Sequence, residues 1–197
     1  MLFQPSARET QLISRRSLMA SLAAVPLLGQ RGLAATPDLP ETEDNIEGPF
    51  YKAGAPERAD LIDKGMRGTP LIVSGRVFST TGEPLASAVL DVWQANSEGE
   101  YDNKGYTLRG RLIADKDGNY RLRTIVPKYY KAGETIRPSH IHIKLSARAH
   151  PTLTTQLYFK GAPYNYIDPD VRPSLMLTPR DDRDAKQARF DFVLRHA

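Results

Sequence analysis

Two histidines separated by one residue, His140 and His142, are the clearest sign of chemistry in this sequence. In an extended segment alternate side chains lie on one face, so both imidazoles would point the same way. Tyr129, Tyr130 and Arg137 precede them closely. Imidazole and phenolate suit a Lewis-acidic transition metal such as ferric iron better than calcium or magnesium. On the His-x-His pair alone, however, a surface-strand pair beside two core tyrosines is the better interpretation.

The composition is that of an ordinary globular domain. The chain has 197 residues, 40% of them hydrophobic and 25% charged, which favours one domain with a hydrophobic core. Cysteine is absent, which excludes disulfides, zinc–thiolate sites and thiol nucleophiles. The net charge of +4 comes mostly from residues 1–35, and the remainder carries a net charge of +1. We therefore expect no nucleic-acid partner.

The N-terminus is typical of an export signal. Arg15 and Arg16 precede a short apolar stretch, 18–29, and small residues suitable for cleavage end at Ala35. Paired arginines before such a core resemble a twin-arginine signal. The apolar run is shorter than the roughly 20 residues of a membrane anchor. We predict a leader over 1–35, a periplasmic or secreted mature chain, and no membrane association once the signal is removed.

The rest of the chain carries the pattern of a β protein. A polar, proline-containing arm is predicted over 36–68 and a single domain over 69–197. Short runs rich in β-branched and aromatic residues alternate there with Gly, Pro and Asp turns, without long helical periodicity. The predicted strands are 71–78, 88–94, 108–114, 120–126, 140–148, 153–159 and 189–194. We predict an all-β sandwich of about seven to eight mostly antiparallel strands whose loops carry the function.

Several short motifs occur in order along this domain. They are DVWQAN (91–96), GEY (99–101), RGR (109–111), DGNY (117–120), PKYY (127–130), RPSHIH (137–142) and QLYF (156–159). Together they resemble the intradiol ring-cleavage dioxygenases, the group that includes the protocatechuate 3,4- and catechol 1,2-dioxygenases. The resemblance runs from about Glu47 to Gly161 and implies a β-sandwich with a transthyretin-like core.

The resemblance also implies a mononuclear non-haem ferric ion held by two tyrosines and two histidines. Carried over by motif, the metal ligands are Tyr101, Tyr130, His140 and His142. Tyr101 has the Gly-x-Tyr context and is preferred to Tyr106. Tyr130 ends a Pro-x-x-Tyr pattern, which leaves Tyr129 as the alternative and as an expected pocket wall.

The implied reaction is cleavage of a catechol-type ring between its two hydroxylated carbons by dioxygen, giving a cis,cis-muconate. By the same resemblance, Tyr130 accepts a substrate proton and Arg137 stabilises negative charge at the attacked carbon. Gln156 matches a glutamine near the iron, although an ordinary polar strand residue would look the same. The short segment between Tyr130 and Arg137 leaves the size of the substrate open.

Three basic residues could bind a substrate carboxylate. They are Arg109, Arg111 and Lys128, and for each a structural or solvated charge is the preferred interpretation. Oligomeric state is left open, with a homo-oligomer among the expectations.

Two other functions compete with the dioxygenase hypothesis. A non-catalytic transthyretin-like carrier or binding module would explain the segment GEPLASAVLDVW equally well, but it gives no reason for two tyrosines and the His pair to occur together. A copper or ferrous oxygenase would use only the His pair. A ferrous site is expected to add a carboxylate ligand, and no matching acidic residue lies beside His140 and His142 in the sequence.

Overall fold

The computed structural model describes residues 38–197, and the predicted leader lies outside them. The described chain forms twelve strands and one turn of 3-10 helix, Pro173–Leu175. The strands are β1 (Pro70–Ser79), β2 (Val89–Gln94), β3 (Arg109–Ile113), β4 (Asn119–Ile125), β5 (Tyr130–Ala132), β6 (Thr135–Arg137), β7 (His140–Ser146), β8 (Leu153–Phe159), β9 (Met176–Leu177), β10 (Arg180–Asp182), β11 (Ala185–Arg189) and β12 (Phe192–Leu194).

The strands build two five-stranded sheets and a two-stranded ribbon. One sheet has the order β10-β11-β1-β12, with β4 paired to β1, and the other has the order β3-β2-β7-β8-β9. β5 and β6 form the ribbon. Antiparallel pairs predominate, and the parallel pairs are β1 with β11, β1 with β12, and β8 with β9. The predicted sandwich is confirmed.

The core follows from the two-residue period of the strands. Along β1, half-buried and buried side chains alternate through all ten residues, so Leu71, Val73 and Val77 point inward. They belong to one apolar cluster with buried residues of the other sheet, such as Leu90 and Ile143. Burying each such side chain contributes about 1.5–3 kcal/mol, which fixes the register of both sheets.

Seven strands have five or more residues, and six of them match the predicted strands within about two residues. The prediction of one continuous last strand over 189–194 is wrong, because the chain breaks between β11 and β12. The carbonyl of Phe190 lies against Gly75, where a Cβ atom would meet it at 1.7 Å. The Asp191 carboxylate accepts a hydrogen bond from the Arg76 N–H at 2.8 Å, so a side chain replaces the strand's backbone acceptor.

The segment before β1 lies along the sandwich and leads to the site. The N–H of Asn45 donates to the Thr154 carbonyl at 2.8 Å, and further along Arg58 donates to the Arg111 carbonyl at 3.1 Å. Between these two anchors the segment places Phe50 against the rings of Tyr101 and Tyr130. The domain boundaries at 35 and 68 stay predictions. In the part of the chain described, no helix has the length and apolar character needed to cross a bilayer.

Candidate active site

His140 and His142 lie on one face of β7, and both are buried. Their side chains are 2% and 1% exposed, so the surface-strand interpretation does not hold. The two Nε2 atoms are 3.0 Å apart. Trp93 is opposite His142 in the β2–β7 register and stacks on its ring at 4.7 Å between centroids. The strand pairing thus fixes both imidazoles toward one point.

The tautomer of His140 is set by the backbone. Its Nδ1 lies 2.6 Å from the Pro138 carbonyl, which can only accept, so Nδ1 carries the proton. The Nε2 lone pair therefore faces the centre of the site. Burial, and after it the charge of Arg137, lowers the pKa of His140 to about 4. Burial, and after it His140, also holds the pKa of His142 well below its usual value. Both rings are neutral at pH 7.

Tyr101 reaches this centre from the loop between β2 and β3. Its hydroxyl lies 3.3 Å from Nε2 of His140. Phe50 stacks on the Tyr101 ring at 4.2 Å between centroids and covers it from the arm. Burial, and after it the neighbouring Tyr130, raises the pKa of Tyr101 well above its usual value. Without a cation nearby this phenol stays protonated at pH 7.

The loop that carries Tyr101 is organised by Asp102. Its carboxylate accepts hydrogen bonds from the backbone N–H groups of Lys104, Gly105 and Thr107 at 2.7–3.0 Å. The N–H groups of Gly105 and Thr107, the largest contributors, hold the pKa of Asp102 far below its usual range. The loop is thus braced immediately after Tyr101.

Tyr130 enters from the ribbon and faces Tyr101. It is buried, with its ring 5.3 Å from the Tyr101 ring and 5.6 Å from the His140 ring. Gly99 makes the approach possible, since a Cβ there would lie 2.6 Å from the Tyr129 carbonyl and 3.3 Å from the Tyr130 Cβ. Burial raises the pKa of Tyr130, while the charge of Arg137 opposes the rise.

The other candidate tyrosines lie elsewhere. The Tyr129 ring packs edge-on against Tyr164 at 4.7 Å between centroids. The Tyr106 hydroxyl donates to the Ala53 carbonyl at 3.0 Å and so faces the arm. The structure therefore brings Tyr101 and Tyr130, rather than Tyr106 and Tyr129, to the two imidazoles.

These four side chains could hold a metal ion. Two nitrogens each about 2.1 Å from one ion lie about 3.0 Å apart when they subtend roughly a right angle, and 3.0 Å separates the His140 and His142 Nε2 atoms. Nδ1 of His142 is buried without a partner among residues 38–197. In either tautomer of His142 the protein groups alone leave one ring nitrogen unsatisfied. When Nδ1 of His142 carries the proton, the two Nε2 lone pairs face each other at 3.0 Å, and a shared cation would remove their repulsion.

The donor types favour a trivalent ion. In the described residues no group of three or more His, Cys, Asp or Glu side chains comes together. The four side chains that converge here are two phenols and two imidazoles. A highly charged cation lowers the pKa of a bound acid strongly, as it does for water and thiols, so it could ionise both phenols. Ferric iron fits this set, and ferrous iron would be expected to add a carboxylate.

Arg137 is fixed beside this cluster by a buried ion pair. It faces Tyr130 across the ribbon register. Its Nε donates to the Asp168 carboxylate at 2.6 Å, and the two side chains are 9% and 0% exposed. The sequence reasoning missed Asp168, because a loop aspartate 31 residues from Arg137 has no local pattern. The pair leaves the guanidinium with a single orientation.

The Gln156 side chain supports Arg137 and makes no hydrogen bond to either histidine side chain. Its Oε1 accepts from Arg137 Nη2 and from the Tyr158 hydroxyl, each at 3.0 Å. Its Nε2 donates to the Ile46 carbonyl at 2.7 Å. The glutamine thus joins the guanidinium to the arm, and sequence reasoning missed Tyr158 as its partner.

Of the three basic candidates, Arg109 is part of the scaffold. It is 1% exposed and donates to the carbonyls of Asp102 and Phe50 at 3.0 and 2.7 Å. It thereby links the loop that carries Tyr101 to the arm segment that carries Phe50. Arg111 and Lys128 are exposed, and Nζ of Lys128 lies 5.7 Å from the Tyr129 ring.

Comparisons with known proteins agree with this architecture. Residues 46–196 match the family described as dioxygenase. A catechol 1,2-dioxygenase of Acinetobacter baylyi is 38% identical over 152 residues, covering 64% of this chain and 49% of that protein. A 6-chlorohydroxyquinol 1,2-dioxygenase of Cupriavidus pinatubonensis is 34% identical over 208 residues, covering 91% and 75%. The chain spans about half the length of several curated relatives that it matches.

Solved structures show the same fold. The dioxygenase domain of a dioxygenase–carbohydrate-binding fusion from Streptomyces sp. SirexAA-E has a TM-score of 0.75 and 42% identity, covering 80% of this chain and 100% of that one. A 3-chlorocatechol 1,2-dioxygenase from Rhodococcus opacus has a TM-score of 0.75 and 30% identity, covering 79% and 73%.

Proposed function

This chain belongs to the intradiol dioxygenase family, and we propose that it is an iron(III) enzyme that cleaves a catechol-type ring with dioxygen between the two hydroxylated carbons. The observation that carries the proposal is the convergence of two phenols and two neutral imidazoles beside a fixed guanidinium. A carrier module would have no use for this set. The product would be a cis,cis-muconate.

The proposed cofactor is one ferric ion held by Tyr101, Tyr130, His140 and His142. When bound, the ion acts as a Lewis acid that favours the deprotonated catechol and makes its ring reactive toward dioxygen. Protein groups prepare the imidazoles in advance, because the Pro138 carbonyl keeps the His140 lone pair on Nε2. Once deprotonated, Tyr101 and Tyr130 supply negative charge that offsets the charge of the ferric ion.

The side chains around the metal have separate tasks in this proposal. The phenolate oxygen of Tyr130 accepts a proton from a catechol hydroxyl as the substrate binds. Arg137 holds a fixed positive charge beside the ring, where negative charge develops on carbon. Asp168 and Gln156 keep the guanidinium from turning away. Phe50 covers Tyr101 and limits access of water from the arm side.

The family relatives carry names for several substrates, including catechol, chlorocatechol and hydroxyquinol. We propose only the class, a catechol-type aromatic. The segment between Tyr130 and Arg137 consists only of the β5–β6 ribbon. Tyr129, which comes just before the ribbon, packs against Tyr164. Oxygen uptake over a panel of catechols, with product identification, would identify the preferred ring substituents.

The matched pair Tyr130→Phe and Tyr129→Phe tests the proposed site. Purified iron-loaded protein should be red-brown, because tyrosinate-to-ferric charge transfer absorbs broadly in the visible. We expect Tyr130→Phe to shift and weaken this band and to slow turnover by about 10²-fold or more, as loss of a general base does. Tyr129→Phe should keep the colour and iron content.

Two results would contradict the site. Wild-type protein that contains stoichiometric iron but is colourless would exclude tyrosinate ligation. If Tyr129→Phe loses the visible band and Tyr130→Phe keeps it, then Tyr129 is the metal ligand and Tyr130 is not.

We also propose that the chain is exported through the twin-arginine route. The support is the Arg15-Arg16 pair before the apolar stretch and the small residues up to Ala35. Replacing both arginines with lysine should leave the protein in the cytoplasm, whereas the wild-type chain should be recovered from the periplasm or medium in a processed form. Equal export of both forms, measured by fractionation and N-terminal sequencing, would exclude this route.

A further inference from the structure

His150 and His196 form a second imidazole pair, beyond the end of β7 opposite to His140. Their ring centroids are 4.7 Å apart with an angle of 35° between planes. The same 4.7 Å separates the rings of His140 and His142. The sequence contains four histidines, so every one of them lies in a close pair. The proposed dioxygenase reaction uses only the first pair.

A backbone carbonyl fixes the tautomer of the His150 ring. Its Nδ1 lies 2.8 Å from the Arg148 carbonyl, which can only accept, so Nδ1 carries the proton and Nε2 the lone pair. The carbonyl lies two residues upstream, as the Pro138 carbonyl does for His140. Nε2 of His150 is buried without a hydrogen-bond partner among the described residues. Fixing one ring nitrogen in this way is typical of histidines that bind metal through the other.

His196 is brought to His150 by the backbone on either side of it. β12 is paired with β1 as far as Leu194, and the Ala197 N–H donates to the Ala149 carbonyl at 3.3 Å. The pair therefore links the loop after β7 to the segment after β12. His196 is exposed, so its own imidazole is open to solvent.

The groove next to the pair carries more acidic than basic residues. A groove of about 480 Å³ begins at Pro151 and Arg195, which are the chain neighbours of the two histidines. Glu41, Glu43 and Asp44 line it, against the single charge of Arg195. Such an excess of carboxylates raises the local concentration of cations.

We propose that His150 and His196 bind one divalent transition-metal ion of the zinc or copper class. Imidazole suits these ions, whereas calcium and magnesium prefer oxygen ligands. Two protein ligands leave the remaining positions to water, so binding is reversible and weaker than at the four-ligand centre. The bound ion joins two segments of the folded chain that are separate in the unfolded chain, and it therefore stabilises the folded state by mass action.

Titration of the iron-loaded full chain with zinc chloride tests this site. Calorimetry should show one zinc ion per chain bound without loss of iron or of visible colour, together with a rise in Tm. We expect His150→Gln and His196→Gln each to weaken zinc binding by about tenfold or more. Arg195→Gln changes the same surface segment without removing an imidazole and should bind zinc at least as tightly as the wild-type protein.

The exposed His196 keeps the test decisive if His150→Gln fails to fold. Unchanged zinc affinity in His196→Gln, or no zinc binding by the wild-type chain, would overturn the proposal. Zinc that is bound by His142→Ala and lost in His142→Ala/His196→Gln is held by the second pair, whether or not the first centre is occupied. The result of this comparison does not depend on whether the proposed dioxygenase activity is found.

Discussion

His142→Ala is expected to lose both iron and ring-cleaving activity. The imidazole is 1% exposed and directs Nε2 to within 3.0 Å of the His140 Nε2, so its removal takes away one of four donors at a buried centre. Replacing a group that only hydrogen-bonds to a metal ligand already weakens metal affinity by about 10–100-fold. Loss of a ligand itself should weaken it further, and iron analysis and oxygen uptake would both measure the effect.

His196→Ala is the matched control for His142→Ala. It also removes an imidazole from a close pair, but one that the proposed reaction does not use. This variant should retain iron, visible colour and turnover. Stoichiometric iron with normal colour in His142→Ala would show that His142 is not a ligand.

The shifted pKa values of the four proposed ligands make iron binding dependent on pH. The imidazoles are neutral at pH 7, because burial lowers the pKa of His140 to about 4 and that of His142 also falls. They therefore release no proton when iron binds at neutral pH. The phenols of Tyr101 and Tyr130 have raised pKa values and must each lose a proton. Iron affinity should consequently rise with pH across the neutral range.

Residues with a local pattern could be predicted from the sequence. Alternation within one strand places His140 and His142 on one face, and motif order points to Tyr101 and Tyr130. Long strands with β-branched residues were predictable for the same reason, since their two-residue period is visible in the chain itself.

Features that depend on distant contacts could not be predicted. The break between β11 and β12 depends on Gly75 and on a hydrogen bond from Arg76 to Asp191, 115 residues away. Asp168 is an acidic residue in a polar loop until the fold places it against Arg137. Strands of two or three residues, such as β5 and β9, are too short to show any period.

Replacement of Arg137 in the Arg137–Asp168 pair should lower both kcat and the stability of the fold, and the two effects can be measured separately. Arg137→Met removes the charge that faces the reacting ring, and kcat should fall by about 10²–10³-fold, as it does when a preorganised group that stabilises transition-state charge is removed. The same change leaves the fully buried Asp168 carboxylate with the Asp170 N–H as a donor but without its counter-charge. That uncompensated charge should destabilise the fold by about 3–5 kcal/mol.

The double variant Arg137→Met/Asp168→Asn distinguishes the two contributions. Neutralising both partners removes the unpaired buried charge, so the free energy of unfolding should return most of the way to the wild-type value. The kcat should stay low, because nothing replaces the guanidinium beside the ring. Both variants should keep iron and colour, since neither partner is among the four proposed ligands. If the double variant recovered kcat together with stability, Arg137 would have only a structural role, and the charge stabilisation assigned to it would have to come from the metal centre itself.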